Sequence, residues 1–300
     1  MINADASRPA AWPELPAERP DIRLVAVDLD DTLLTDDLII TPRTKKAIQA
    51  AREQGVVVTI ATGRVFESAL PYAKELGLDV PLITFQGAMV VAPDGQVISH
   101  RPMERQVSLE ILDFLLSFGY HVTLYMKDML YLEETSAETE RYRVRIRIKF
   151  HVVPSLREML AGCSDGVTKF VLMAEPDKVG EVLTAFRERF GGRAQAVRSK
   201  PTFLEISRPD TGKGVALAEM AKNMGIDRNQ VMAIGDSPND MDMIVYAGWG
   251  VSMANGVEEV REKARWITAS NNDEGVAIAI EQLILRDERG RGNGERRYPG

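Results

Sequence analysis

The apolar run Leu24–Val27 and the acids after it constrain the fold of this chain more than any other stretch. The run is short and rich in valine, which predicts a strand buried on both faces of a sheet. Asp28, Asp30 and Asp31 follow it within four residues. In an open α/β sheet, ligands bind at the carboxyl ends of the strands, and carboxylates this close repel one another unless a cation or a shared proton relieves them. A polar turn after a strand would also explain these acids, so their function depends on what the rest of the chain brings near them.

Strands and helices alternate before and after the middle of the chain. Further buried strands are predicted at 56–61, 82–85, 203–206, 231–234, 250–253 and 266–268. Helices are predicted at 43–54, from about 65 to 76, and at 213–224, 238–247, 257–264 and 274–285. This alternation predicts a doubly wound, mostly parallel, Rossmann-like α/β sheet.

Proline and glycine mark the ends of the first helices. Thr41 is suited to an N-cap, Pro42 to the first helical position and Gly55 to the residue after the last turn. Pro71 lies inside the second helical segment and is expected to break it.

The pattern changes in the middle of the chain. Hairpins are predicted at 89–99 and 120–133, helices at 108–118, 154–161 and 176–190, and strands at 168–174 and 193–197. We therefore expect an α/β core at 21–87 and 201–286, with an α+β cap domain inserted at 88–200. The tails at 1–20 and 287–300 are expected to be disordered.

The segment 134–151 supports two interpretations. A capping box at Thr135–Glu138 favours a helix, whereas the alternation of basic and apolar residues in Arg141–Lys149 favours a strand. The basic stripe could line the cap toward an anionic substrate, or it could be a solvated face that guards a sheet edge.

Composition excludes several classes of protein. The net charge of −7 argues against a general nucleic-acid binder, and the one cysteine, Cys163, excludes a disulfide framework. The three histidines have no i, i+4 partners and do not indicate a zinc site. No apolar run approaches the length of about 18 residues needed to span a membrane, and the first twenty residues do not fit a signal peptide. We expect a cytoplasmic monomer or homodimer without nucleic-acid or membrane partners.

Four groups of polar residues fall where predicted strands end or helices begin. They are Asp28 with Asp30, Thr62 with Gly63, Lys213, and Asp236 with Asn239 and Asp240. Because parallel strands place their carboxyl ends on one edge of a sheet, these groups are expected to converge. Carboxylates without soft ligands suit Mg²⁺, while a hydroxyl, a glycine amide and a lysine suit a phosphoryl group.

Each group also has an ordinary structural explanation. Asp236 and Asp240 could be an N-cap and a first-turn acid of a helix. Lys213 could be a solvated lysine at a helix start, although a cation there opposes the helix dipole. Arg64 could bind substrate or pair with an exposed acid.

The order of the motifs resembles that of a known family. The motifs are Asp28-Leu-Asp30-Asp31-Thr32, Thr62-Gly63-Arg64, Gly212-Lys213-Gly214 and Gly235-Asp236-Ser237-Pro238-Asn239-Asp240. They resemble the four motifs of the haloacid dehalogenase-like phosphohydrolases. The spacing is similar to that of the Cof-type branch (subfamily IIB), whose large C2-type cap is inserted between the second and third motifs. The resemblance covers residues 22–285.

The resemblance implies a role for each matching residue. It implies Asp28 as nucleophile, Asp30 as general acid/base with its carbonyl on the metal, Thr62 and the Gly63 amide as phosphate ligands, Lys213 as transition-state stabiliser, Asp236 as Mg²⁺ ligand, and Asn239 and Asp240 as support for phosphate and metal. Gln86 stands where the family often has asparagine, near the substrate pocket, and is a candidate substrate-binding residue. Arg64 is a second candidate.

The function implied is a Mg²⁺-dependent phosphatase of a small phosphorylated metabolite, with sugar phosphates as the first class to test, working through an aspartyl-phosphate. An aspartate at position 30 favours hydrolysis because water needs a base there. A phosphotransferase or mutase like phosphomannomutase stays an alternative, as does a non-catalytic binding protein with the same fold.

Overall fold

The computed structural model describes residues 18–135, 139–140 and 149–285. Most of both predicted tails lies outside these residues. So does Arg141–Ile148, on which the question of helix or strand at 134–151 depends. Within the described part of the chain, no helix is long and apolar enough to cross a membrane.

The core is a five-stranded parallel sheet. Its strands are β1 (Leu24–Val27), β2 (Val57–Ile60), β12 (Val231–Gly235), β13 (Trp249–Ser252) and β14 (Trp266–Ile267). Their order across the sheet is β14-β13-β12-β1-β2. Val27 at the end of β1 lies opposite Ile60 and Ile234. This register brings the residues that follow the three strands to one edge, as the motifs predict.

Helices cover both faces of this sheet. On one face Val25 and Val27 pack with the helices Pro42–Glu53 and Gly275–Ile280. On the other, Leu24 and Ala26 pack with the helices Lys213–Asn223 and Met241–Tyr246. The doubly wound α/β prediction is therefore confirmed.

The helix Phe66–Glu75 runs through Pro71, so the predicted break there is wrong. Pro71 removes one N–H, whose acceptor would be the Glu67 carbonyl. Both residues are exposed, and water can bond to that carbonyl. The first helix begins as predicted, with the Thr41 hydroxyl accepting from the Thr44 N–H.

The third predicted strand has two kinds of neighbour. β3 (Leu82–Thr84) meets the parallel sheet through a bridge between Ala61 and Ile83. It also pairs antiparallel with β4 (Met89–Val91), which pairs with β5 (Val97–His100). The predicted hairpin therefore extends β3, and this pairing favours a cap that begins after His100, although the boundary at 88 stays a prediction.

The cap is a six-stranded sheet of order β10-β11-β9-β6-β7-β8, antiparallel except between β7 and β8. Its strands are β6 (His121–Met126), β7 (Met129–Leu132), β8 (Phe150–Val152), β9 (Lys169–Met173), β10 (Gln195–Lys200) and β11 (Phe203–Ser207). Its helices are Arg105–Leu116, Leu156–Gly162 and Pro176–Phe190.

Strand β11 lies in the cap sheet between β9 and β10, so its sequence assignment to the core was wrong. Phe203, Leu204 and Ile206 indicate a buried strand whichever sheet it joins, because apolar periodicity reports burial and not the pairing partner.

One face of the cap sheet covers the carboxyl edge of the core. Tyr125, Val171 and Phe203 join the apolar cluster that includes core residues, and the Tyr125 and Phe85 rings meet edge to face at 5.5 Å. The two chain segments that connect the domains are adjacent, since Arg101 donates to the Asp210 carbonyl at 3.5 Å. The cap is thus tied to the core at neighbouring points and lies over the predicted site.

Candidate active site

The carboxyl edge of the core sheet encloses a cavity of about 180 Å³ beneath the cap. Its lining includes Asp28, Asp30, Thr62, Gly63, Arg64, Gln86, Asp236 and Asn239, all singled out from the sequence. Lys213 and Asp240 lie behind Asp28 and are fully buried. The structure therefore brings all ten predicted site residues to one place.

Lys213 bridges two carboxylates at the floor of the cavity. Its Nζ lies 2.5 Å from Asp28 Oδ1 and 2.6 Å from Asp240 Oδ1. Burial lowers the pKa of the ammonium, but Asp240 and Asp28 more than offset this and raise the pKa above its ordinary value. A solvated lysine is excluded, because the side chain has no exposed surface.

Asp240 fixes both the lysine and the loop after β12. Its Oδ2 accepts from the backbone N–H groups of Asp236 and Ser237, each at 3.0 Å, while Oδ1 faces Lys213. Asp240 therefore acts as the first-turn acid of the structural explanation and also positions Lys213. Because both of its oxygens are engaged in these contacts, Asp240 is better placed to support Lys213 and the loop than to bind a metal.

Asp236 and Asp28 form the acidic pair that faces the cavity. Thr32 donates to Asp236 Oδ1 at 2.7 Å. Burial raises the pKa of Asp28 well above its ordinary value despite Lys213, and burial together with Asp240 raises the pKa of Asp236 to about 7. In both groups burial is the largest cause, because it disfavours the charged carboxylate, and a positive charge nearby would favour that form.

The donor set fits a hard divalent cation. One oxygen from each of Asp28, Asp236 and Asp240 lies within 4.8 Å of the others, and none of these ligands is soft. A cation at Asp28 and Asp236 would supply the missing positive charge.

Arg64 holds Asp30 in a bidentate ion pair. Its Nε lies 2.8 Å from Asp30 Oδ2 and its Nη2 lies 2.6 Å from Oδ1. The Arg64 side chain is 6% exposed and that of Asp30 is 42% exposed. Burial lowers the pKa of Arg64, but Asp30 raises it above its ordinary value. Of the two explanations of Arg64, pairing with an acid is the observed one, and the acid is itself a site residue.

Thr62 and Gly63 form the wall next to this ion pair. Thr62 Oγ1 accepts from the Arg64 N–H at 3.1 Å, which leaves the hydroxyl proton for another acceptor. A Cβ on Gly63 would lie 2.4 Å from Gln86 Nε2, so a side chain there would displace the end of Gln86. The wall thus presents a hydroxyl donor beside backbone without a side chain.

Two charged cap residues that line this cavity, Lys169 and Glu205, were missed in the sequence. Lys169 on β9 donates from Nζ to the Gly63 carbonyl and to Glu205 Oε2 on β11, each at 3.1 Å. A signal was present, because Lys169 shares the core-facing side of its strand with Val171 and Met173. A charge in an apolar stripe needs a buried partner.

A second cavity of about 530 Å³ adjoins the first. It lies between the cap strands β10 and β11 and the helices that begin at Lys213 and Met241. The two cavities share Gln86, Lys169, Ser199, Glu205 and Asn239. A ligand held at Asp28 can therefore extend past these residues into the larger space.

Comparisons with known proteins show the family of this chain. The sequence model of the haloacid dehalogenase-like hydrolases matches residues 25–280. The protein M6_Spy0533 of Streptococcus pyogenes serotype M6 is 34% identical over 268 residues, covering 88% of this chain and 99% of its own. YcsE of Bacillus subtilis, named a 5-amino-6-(5-phospho-D-ribitylamino)uracil phosphatase, is 31% identical over 269 residues, with 89% and 98% covered.

A solved structure shows the same fold. TM0651 from Thermotoga maritima has a TM-score of 0.77 and 30% identity, with 87% of this chain and 97% of that chain covered. The match runs through core and cap alike.

Proposed function

Because the chain belongs to the haloacid dehalogenase-like hydrolases, in the Cof-type branch, and is a phosphatase of small phosphorylated substrates, we propose that it forms an aspartyl-phosphate on Asp28 with Mg²⁺ as its metal. The observation that carries the proposal is the Lys213 ammonium, which bridges Asp28 and Asp240 at 2.5 and 2.6 Å beneath the cavity. It fixes one Asp28 oxygen and directs the carboxylate toward the bound phosphoryl group.

Asp28 attacks phosphorus through a carboxylate oxygen, and the bond from phosphorus to the ester oxygen breaks. Lys213, the Thr62 hydroxyl and the Gly63 amide stabilise the charge on the phosphoryl oxygens. Asn239, which lines both cavities, supports the phosphate from the side of β12.

Asp30 is the general acid for the departing alkoxide and then the base that takes a proton from water. That water attacks phosphorus, the bond from phosphorus to Asp28 breaks, and phosphate and the free Asp28 carboxylate result. In the observed conformation both its oxygens face Arg64, which suits the base. To act as the acid, Asp30 must gain a proton and loosen one of these contacts. We therefore assign Arg64 the task of positioning Asp30 between the two steps.

The carboxylates of Asp28 and Asp236 and the Asp30 carbonyl would hold the Mg²⁺, with Asp240 behind them. A divalent cation bound there offsets the negative charges of the carboxylates and the phosphate, so that they can approach one another.

The proposed substrate is a sugar phosphate or a related monoester with a hydroxylated leaving group. The larger cavity has room for such a group beyond the phosphoryl site. The relative YcsE is named for a substrate that joins a phosphate to a ribityl chain, which supports this class. A cytoplasmic location and a monomer or homodimer stay predictions.

The test is phosphate release from a panel of phosphorylated metabolites by the wild type, by Asp28→Asn and by the control Asp79→Asn, an exposed aspartate away from the site. Each is assayed with Mg²⁺ and with chelator. We expect phosphate release that needs metal and a loss of about a thousandfold or more in Asp28→Asn. With a ³²P-labelled substrate, acid-stable label should appear on the wild type and on Asp79→Asn but not on Asp28→Asn. Release by Asp28→Asn at the wild-type rate would contradict the mechanism. Phosphate that moves to an added sugar acceptor would indicate a phosphotransferase.

A further inference from the structure

Polar side chains form the junction between the two cavities, and two of them, Glu205 and Gln86, offer oxygens that can accept hydrogen bonds. Glu205 and Gln86 border both spaces, so a substrate that fills both must pass between them. The assigned catalytic groups do not include Glu205, and no step of the proposed reaction uses it.

Glu205 is held in place by a cap lysine. Lys169 Nζ lies 3.1 Å from Glu205 Oε2, and the Lys169 side chain is 4% exposed. The ammonium also lies 5.1 Å from the centre of the Tyr125 ring and donates to the Gly63 carbonyl. Across the described residues, no hydrogen bond reaches Glu205 Oε1. One carboxylate oxygen is therefore fixed and the other is available beside the cavity.

Gln86 adds a second acceptor at the same place. Its backbone has φ +56° in the turn after β3, and its Oε1 is buried with no hydrogen-bond partner in the described structure. A buried acceptor without a partner carries an energetic cost. A donor group on a ligand at the junction would remove this cost.

The larger cavity adds no net charge to attract a second anion. Its charged residues are Lys169, Lys213, Glu205 and Asp242. Lys169 faces Glu205, Lys213 faces Asp28 and Asp240, and Asp242 accepts from the Gly214 N–H at 2.8 Å. The larger cavity therefore suits an uncharged group. The acceptors at the junction, Glu205 and Gln86, can bind hydroxyl donors on that group.

We propose that Glu205, held in place by Lys169, determines specificity by accepting a hydrogen bond from a hydroxyl on the substrate's leaving group, with Gln86 as a second acceptor. The inference rests on the proposed phosphatase function. It predicts that the enzyme separates polyol phosphates from alkyl phosphates of the same length, because a site that hydrogen-bonds a hydroxyl rejects an analogue without it.

The test compares sorbitol 6-phosphate with n-hexyl phosphate, a pair matched in chain length. Wild type, Glu205→Gln and Glu205→Asp are assayed for phosphate release. The control is Glu181→Gln, an exposed cap glutamate paired with Lys178. Thermal unfolding of each variant checks folding, and Glu205→Gln retains an acceptor for Lys169.

We expect the wild type to prefer sorbitol 6-phosphate by roughly a hundredfold or more in kcat/KM. Glu205→Gln should reduce that ratio by roughly tenfold, mainly through a higher KM, with hexyl phosphate changed less than about twofold. Glu181→Gln should keep the wild-type ratio.

Equal loss on both esters in folded Glu205→Gln and Glu205→Asp would overturn the inference, because it would show that the pair only supports cap closure. A wild type without preference would overturn it too while leaving the phosphatase in place. A wild type that releases phosphate from none of the esters, 4-nitrophenyl phosphate included, would overturn both.

Discussion

Hydrogen-bonding groups are satisfied to different degrees at the floor of the cavity and at the junction between the two cavities. At the floor, Lys213 contacts two carboxylates, and both oxygens of Asp240 are engaged. At the junction under the cap, Glu205 is bonded through one oxygen and Gln86 Oε1 lacks a partner within the described structure. A closed network holds reacting groups in one geometry, whereas unfilled acceptors leave hydrogen bonds for a ligand to complete. The difference assigns chemistry to the core and recognition to the junction.

Lys213→Met should break the floor and give the largest effect. It leaves Asp28 and Asp240 buried without their shared cation, so we expect activity to fall by roughly a thousandfold or more and unfolding to become easier by about 3–5 kcal/mol. Phosphate release and denaturant unfolding measure the two effects. Lys222→Met, an exposed position on the same helix, is the control. Near-normal activity in Lys213→Met would show that the reaction does not need the contacts of Lys213 with Asp28 and Asp240.

Arg64→Lys should weaken the contact between residue 64 and Asp30 while keeping a positive charge beside the floor. Lysine keeps the charge but cannot make the two-point contact with Asp30, so we expect kcat to fall by roughly 10- to 100-fold with KM changed little. Steady-state kinetics measure the split between kcat and KM. Arg157→Lys, at an exposed arginine–aspartate pair of the cap, should leave kcat as in the wild type. A change confined to KM would make Arg64 a substrate-binding residue instead.

A third change tests the cap where it meets the core outside the cavity. Asp128, at the β6–β7 turn, accepts from the N–H groups of Phe66 and Glu67 at 2.8 and 3.1 Å and so caps a core helix that lacks a side-chain cap of its own. Asp128→Ala should lower the free energy of unfolding by about 1 kcal/mol. Denaturant unfolding measures this, with the exposed Asp79→Ala as control. No loss would mean that water replaces the cap at no cost.

The same aspartate gives the smallest effect, a dependence of stability on pH. Burial raises the pKa of Asp128 from the ordinary 3.8 to about 6, against the lowering effect of the two N–H groups. The folded state then holds this proton more tightly, so Asp128 contributes most at low pH and its contribution falls as pH rises from about 4 to 6. Because the group is partly exposed, the change is on the order of 1 kcal/mol. Unfolding of the wild type and Asp128→Asn at several pH values should show this slope in the wild type alone.

The core and its motif residues could be predicted because they depend on local signals. An apolar run ending in acids indicates both a buried strand and the edge where Asp28 lies, and chain order then groups Lys213 with Asp236. The Arg64–Asp30 pair could not be predicted in the same way, since a side chain's direction depends on packing around it.

The cap was less predictable because its contacts depend on which strands pair. The placement of β11 beside β9 brings Glu205 to Lys169, and nothing in either strand names the other as its partner. Asp128 shows the same limit, because a turn residue in the sequence becomes a helix cap only through docking of the two domains.

The strand order of the core also has a consequence in time. β1 lies between β2 and β12, and Asp28 is separated from Lys213 by 185 residues. At roughly 5–20 residues per second, the ribosome needs about 10–40 s to make that interval. Throughout it, one edge of β1 has no strand to pair with and is open to pairing with other chains. The nascent chain therefore carries its future nucleophile well before it can assemble the site, and the interval spent making the cap is when a chaperone would matter most.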